Sequence, residues 1–217
     1  MRTILSILTL LLVCGNGYSQ ITIPFDFTSE EENRLIKEND SLKYFVASTD
    51  TANTVVLNEE GSYYKLLNRE HKVIAEGTYI LEGEKYLQDG KWIQRSAGGK
   101  MLLIGYFRRG MPVGTWQEYY NTGKLKTVSN YGVFVYKGEF NTCLSGTWQE
   151  YYPDGKIKVN GFYAGLLYTY KDTVTVEDPV SGQQVGKVVT RSELRAEKTG
   201  HWEYYAESGE LDRKEDY

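Results

Sequence analysis

Along most of this chain apolar positions recur at every second residue and are cut by short polar clusters, the pattern of strands joined by turns. In Thr115-Trp116-Gln117-Glu118-Tyr119-Tyr120 the run is aromatic and extended. Asn121-Thr122-Gly123-Lys124 is turn chemistry, and Leu125-Lys126-Thr127-Val128 returns. The same order recurs with Tyr152-Pro153-Asp154-Gly155 as the turn. Proline there sets φ, aspartate bonds back onto the chain, and glycine takes the left-handed conformation of a type I turn with a G1 bulge. Earlier in the chain the pattern differs. Ser29-Glu30-Glu31-Glu32 has capping-box spacing and predicts a short helix to about Asn39, while 42–46 and 54–57 read as strands. Residues 20–60 are therefore expected to form a small N-terminal cap over the first sheet edge.

All four tryptophans stand third in a Gly-x-Trp triplet: Gly90 and Trp92, Gly114 and Trp116, Gly146 and Trp148, Gly200 and Trp202. Seven residues after each comes glycine, at Gly99, Gly123, Gly155 and Gly209. Tyrosine follows three residues after the last three tryptophans, at Tyr119, Tyr151 and Tyr205, and Arg95 breaks that rule in the first copy. Four ungapped copies of one frame make this an internal-repeat chain. The glycine two places before each tryptophan is expected to give the indole a bare stretch of backbone to lie on. Gly61-Ser62-Tyr63 and Gly77-Thr78-Tyr79 read as weaker copies with tyrosine in place of tryptophan. Successive tryptophans are 24, 32 and 54 residues apart, so the longer intervals carry insertions between hairpins.

The longest insertion, 166–199, alternates as well. Tyr168, Tyr170, Val174 and Val176 share one parity, and Thr169, Lys171, Thr173, Thr175 and Glu177 the other. Asp178-Pro179-Val180-Ser181-Gly182 can turn the chain back. This predicts an amphipathic hairpin projecting from the array, with those four residues as the candidate interaction surface. Insertions in repeat proteins crowd on one face, often the binding face.

The first nineteen residues read as a secretory signal peptide: Met1-Arg2, an apolar stretch from Ile4 to Val13, then small residues up to Ser19. That stretch is too short to span a bilayer, so no transmembrane span is expected. Export to the periplasm, outer-membrane surface or medium follows, with a lipid anchor at Cys14 as the lesser alternative. Removal of the leader leaves Cys143 alone, so packing must hold the fold without an internal disulfide. A net charge of −4 gives no footprint for nucleic acid.

No enzyme can be assembled from these residues. His71 and His201 are far apart, Cys143 has no histidine frame, and Glu118 and Glu150 are equivalent positions of a repeat. No catalytic, cofactor or metal site is expected. Nineteen tyrosines leave some to spare for stacking on a glycan or partner once the core is filled.

The pattern Gly-x-Trp-x-x-Tyr-Tyr-x-x-Gly-Lys-Leu in 114–125, with isoleucine closing its copy in 146–157, resembles the MORN-repeat variant family. The resemblance extends over about 90–211 and weakly over 61–89. It implies an all-β fold, an elongated antiparallel array of stacked hairpins. Bacterial members are often labelled toxin-neutralising antitoxins, and other MORN proteins act in protein interaction or at membrane lipids. The expected function is a non-enzymatic exported scaffold for a protein partner, with a carbohydrate- or lipid-binding surface or an antitoxin-like binder as alternatives.

Overall fold

The computed structural model describes residues 33–39, 42–47, 54–58 and 62–217, apart from 84, 137, 178, 180 and 181. The leader, Cys14 and residues 29–32 lie outside the described residues. Those described form fourteen strands of one open antiparallel sheet and no helix. The first five strands are β1 (Asn33–Asn39), β2 (Leu42–Ala47), β3 (Thr54–Asn58), β4 (Tyr63–Leu67) and β5 (Val73–Glu82). Then come β6 (Lys85–Arg95), β7 (Met101–Arg108), β8 (Met111–Tyr119), β9 (Leu125–Tyr136) and β10 (Glu139–Leu144). β11 (Gly146–Tyr151), β12 (Ile157–Glu177), β13 (Gln184–Tyr205) and β14 (Leu211–Asp216) complete the set. Sheet order follows chain order, except that β10 and β11 both pair with β9. The two are halves of one strand broken at Ser145, whose N–H donates to the Asn130 carbonyl at 2.9 Å.

The helix expected up to Asn39 is absent, because 33–39 is β1, paired to β2. A helix of about ten residues is marginal without packing, and a capping box speaks only for its first turn. The free edge of β2 offers the same backbone groups partners in an existing ladder.

Five hairpins repeat one geometry, starting at Tyr64, Trp92, Trp116, Trp148 and Trp202. Seven residues on, the turn residue is left-handed: His71 (φ 57°), Gly99 (82°), Gly123 (87°), Gly155 (99°) and Gly209 (92°). Its N–H donates to the carbonyl three residues back, at 2.8 to 2.9 Å, and a one-residue bulge accompanies each turn. Thirteen residues after the leading aromatic come Gly77, Gly105, Ser129, Gly161 and Glu215, and fifteen after it Tyr79, Phe107, Tyr131, Tyr163 and Tyr217.

The aromatics form a ladder on one face. Ring centroids run Tyr64–Trp92 at 5.3 Å, Trp92–Phe107 at 5.7 Å, Phe107–Trp116 at 5.0 Å and Trp116–Tyr131 at 6.1 Å. The ladder resumes with Trp148–Tyr163 at 5.7 Å, Tyr163–Trp202 at 5.1 Å and Trp202–Tyr217 at 6.2 Å. Most of these contacts are edge-to-face, the favoured arrangement for ring quadrupoles. Tyr131 touches both halves of the core and joins them.

Two sequence expectations need correction. The glycines two places before the tryptophans do not seat the indoles. Gly90, Gly114, Gly146 and Gly200 have φ of 99°, 65°, 111° and 66°, and a Cβ on any of them would meet no ring. They let the strand enter through a left-handed step. The seats lie across the sheet, where a Cβ on Gly105 would fall inside the Trp116 indole and one on Gly161 inside that of Trp202. The weak upstream copies are also out of register by one residue. Ser62, with φ 48°, stands in the glycine place, Tyr64 leads, and His71 takes the turn. Gly77 and Tyr79 are the later positions of that same hairpin, not a copy of their own.

The turns at 120–124, 152–156 and 206–210 lie side by side along one edge. The Tyr120 hydroxyl donates to the Tyr151 carbonyl and that of Tyr152 to the Tyr205 carbonyl, each at 2.7 Å. Lys124 Nζ donates to the Asp154 carbonyl at 3.1 Å and Lys156 Nζ to that of Glu207 at 2.7 Å. All insertion therefore goes to the opposite edge, where strands lengthen by pairs. Leading aromatics are separated by 28, 24, 32 and 54 residues, all even, so each ring returns to the same face.

Candidate binding hairpin

β12 and β13 pair from Val159–Tyr204 to Glu177–Gln184. Pairing to β11 ends at Tyr163 and pairing to β14 begins at His201. Between those points the two strands run on as a two-stranded ribbon. Tyr163 is buried in the aromatic core, so alternation sends Phe162, Leu166, Tyr168 and Tyr170 to the opposite face, with Val174 and Val176 beyond them. On this face Phe162 is 49% exposed and Tyr170 43%, and Leu166, Tyr168 and Val185 are exposed too. Val174 and Val176 are half-buried.

One cross-strand ion pair and one along β13 frame this row. Arg191 pairs with Asp172 at 2.8 Å, and Arg195 with Glu193 at 2.8 Å. The Arg195 guanidinium also sits 5.3 Å from the centre of the Tyr168 ring. The hydrogen bond from Arg195 holds the Glu193 carboxyl below its usual range, and the hydrogen bond to Glu197 raises the Tyr168 phenol.

The other face of the ribbon is covered at its base by the β9–β10 hairpin. A Cβ on Gly165 would run into the Phe134 ring and the Cys143 sulfur, so Gly165 is the place where the two layers meet. Ser192 donates to the Tyr136 hydroxyl at 3.0 Å just beyond.

Residues 112–131 and 144–164 match the family model of the MORN repeat variant. The chain carries MORN repeats. Each matched segment starts two residues ahead of a Gly-Thr-Trp triplet; the first ends on the aromatic fifteen after the tryptophan, Tyr131, and the second one residue past it, at Ala164. A MORN unit here is thus one hairpin with its turn, its bulge and both of its core rings. Comparison with curated proteins and with solved structures returned no match. MORN repeats generally occur in protein–protein or membrane-binding settings.

The remaining candidates have structural partners. Tyr119, Tyr151 and Tyr205 donate to Gln117, Gln149 and Glu203, two residues back on their own strands, at 3.1, 3.0 and 2.7 Å. Glu118 pairs with Lys126 and Glu150 with Lys158. His201 bonds the Asp216 carboxylate in an exposed pair. Cys143 is buried under Gly165. Among the described residues no group of three His, Cys, Asp or Glu side chains could hold a metal ion. No helix there is long and apolar enough to cross a membrane. A shallow depression of about 320 Å³, lined by Tyr63, Lys65, Glu76, Thr78, Lys91 and Ile93, lies across β4, β5 and β6.

Sequence reasoning missed one cluster. Lys198 Nζ lies 4.3 Å from the centre of the Trp202 ring and 4.9 Å from that of Tyr217, and it donates to the Tyr204 hydroxyl at 2.8 Å. Arg213 covers the Tyr204 ring at 3.9 Å. Two cations thus lie against the rings at this part of the ladder. The signal was the aromatic at fifteen residues, which marks Tyr217 as the partner of Trp202.

Proposed function

We propose that this chain is a non-enzymatic, exported binding scaffold whose MORN array presents the 166–199 hairpin to a protein partner. One observation carries the reading. The array spends its regular aromatics on its own core, whereas Phe162, Leu166, Tyr168 and Tyr170 form an exposed row on the face away from that core. Tyrosine and arginine beside a small apolar row, with charges at the rim, is the composition of protein interfaces. The apolar leader at 1–19 supports export.

The test is deletion of 167–198, with the ends joined by a short turn. The β11–β12 and β13–β14 hairpins then keep their registers, so the array should retain its unfolding midpoint while partner capture from its own cells is lost. An unchanged set of captured proteins would refute the assignment.

A further inference from the structure

Among the described residues both long edges of the ribbon are open. Beyond Tyr163, no strand among the described residues pairs with the outer side of β12. An isolated two-stranded hairpin is marginal in water, and natural proteins blunt open edges with charge. β14, the open edge strand at the end of the sheet order, obeys that rule, with five charged residues in Leu-Asp-Arg-Lys-Glu-Asp. The outer edge of β12 does not. In Leu166-Leu167-Tyr168-Thr169-Tyr170-Lys171-Asp172-Thr173-Val174-Thr175-Val176-Glu177 nine of twelve residues are uncharged, most of them β-branched or aromatic. It is a pairing edge left unprotected.

We infer that this edge pairs antiparallel with the same edge of a second copy of the chain, about a twofold axis through Asp172. The inference rests on reading the hairpin as the binding element and names one partner for its edge. The register follows from the pleat. Residues facing each other across an antiparallel ladder share a face, so positions related by the twofold must have the same parity. Centring on Asp172 sets Tyr170 opposite Val174 of the second copy and Tyr168 opposite its Val176. The other face then pairs Thr169 with Thr175. Aromatic–β-branched and Thr–Thr pairs are the favourable cross-strand combinations. The like charges meeting on the axis are two Asp172 carboxylates, each already neutralised by its own Arg191 at 2.8 Å. Centring on Lys171 would oppose two lysines for which no such counter-charge is at hand. Centring on Thr173 would set Asp172 against Val174 and leave a single kind of aromatic–valine pair. The apolar row and the edge thus specify one register.

Light scattering on the eluting full-length mature chain is expected to give twice the chain mass at high concentration. Tyr170→Glu or Val174→Lys alone should raise the dissociation concentration at least tenfold. The two together place opposite charges across the interface and should restore the dimer. Asp172→Cys should form an intermolecular disulfide on mild oxidation, because residues facing each other in a ladder lie within bridging distance. Thr175→Cys, far from the axis, should not. A chain that stays monomeric at all concentrations overturns the inference. So does a dimer that ignores the charge swap or crosslinks equally at both positions. Far-UV circular dichroism of each variant separates loss of pairing from loss of fold. A monomer that still loses its partner on deletion of 167–198 would sink the self-pairing and leave the scaffold standing.

Discussion

Gly161→Ala isolates the seat beneath Trp202. Gly161 has ordinary extended backbone, so alanine meets no φ penalty there and the effect is steric. Its Cβ would overlap Cδ2, Cε2 and Cε3 of the indole, the fused edge of a rigid ring. That ring cannot swing away freely. It is 1% exposed, stacked edge-to-face on Tyr163 at 5.1 Å, and its Nε1 donates to the Phe162 carbonyl at 3.1 Å.

Lifting the ring loses the hydrogen bond, at about 1 kcal/mol, and part of an aromatic pair contributing about 1 kcal/mol. Overpacking of the strand adds about 1 to 3 kcal/mol. The reduced entropy of the unfolded alanine chain returns up to about 1 kcal/mol. The expected net loss is about 3 kcal/mol, or roughly 6 to 12 °C in Tm for a chain of this size. The control is Gly114→Ala, where φ is 65° and nothing lies within 4 Å. Its cost is backbone strain alone, about 1 to 2 kcal/mol. Urea titration followed by tryptophan fluorescence and near-UV circular dichroism measures both. If Gly161→Ala destabilises no more than Gly114→Ala, the cross-sheet seat is not what holds the ring.

His71 occupies the left-handed turn position that glycine fills in the other four hairpins. His71→Gly should stabilise the chain by about 0.5 to 1 kcal/mol, after the entropy of glycine in the unfolded state is subtracted from the relieved strain. A fall in the urea midpoint would contradict this. Glu215 is held down to about 2 by hydrogen bonds from Tyr217, Tyr204 and Arg213, against an ordinary value of 4.5. A depressed carboxyl stabilises the fold fully above its unfolded pKa, and that contribution is lost as pH falls through the folded value. Protection of the β14 amides, measured against the intrinsic exchange rate at each pH, should therefore fall between pH 4.5 and about 2, and Glu215→Gln should remove that dependence.

The hairpins were legible because turn chemistry and the Gly-x-Trp frame are local. Gly123 and Gly155 announce their turns whatever packs around them. The ladder was less legible because its second ring stands fifteen residues from the first, across a turn and a bulge. The one-residue bulge shifts parity between the outgoing and returning strands, so counting by twos from Trp116 does not lead to Tyr131. The indole seat was misplaced for a related reason: Gly114 adjoins Trp116 in sequence, but Gly105 lies beneath it in the sheet. His71 hid a whole hairpin, since a left-handed histidine carries no sequence mark. The helix expected to reach Asn39 shows the limit of a capping signal with no amphipathic face behind it.

Ser129 explains why the seat rule holds at two tryptophans and not at Trp148. The β9–β11 register, continued by one pair from Gln149–Val128, sets Trp148 against Ser129, which carries a Cβ where Gly105 and Gly161 have none. Trp148 sits 7% exposed, where Trp116 and Trp202 are at 1%, and its Nε1 turns to the Glu150 carboxylate at 3.2 Å. The junction between the two halves of the core is therefore the place of the most exposed of the four tryptophans. It is also where the β9–β10 hairpin leaves the ladder and crosses the base of the ribbon through Phe134 and Gly165. Here the glycine is missing at the point where the chain departs from its repeat, and the surface with no role in the core begins beyond it.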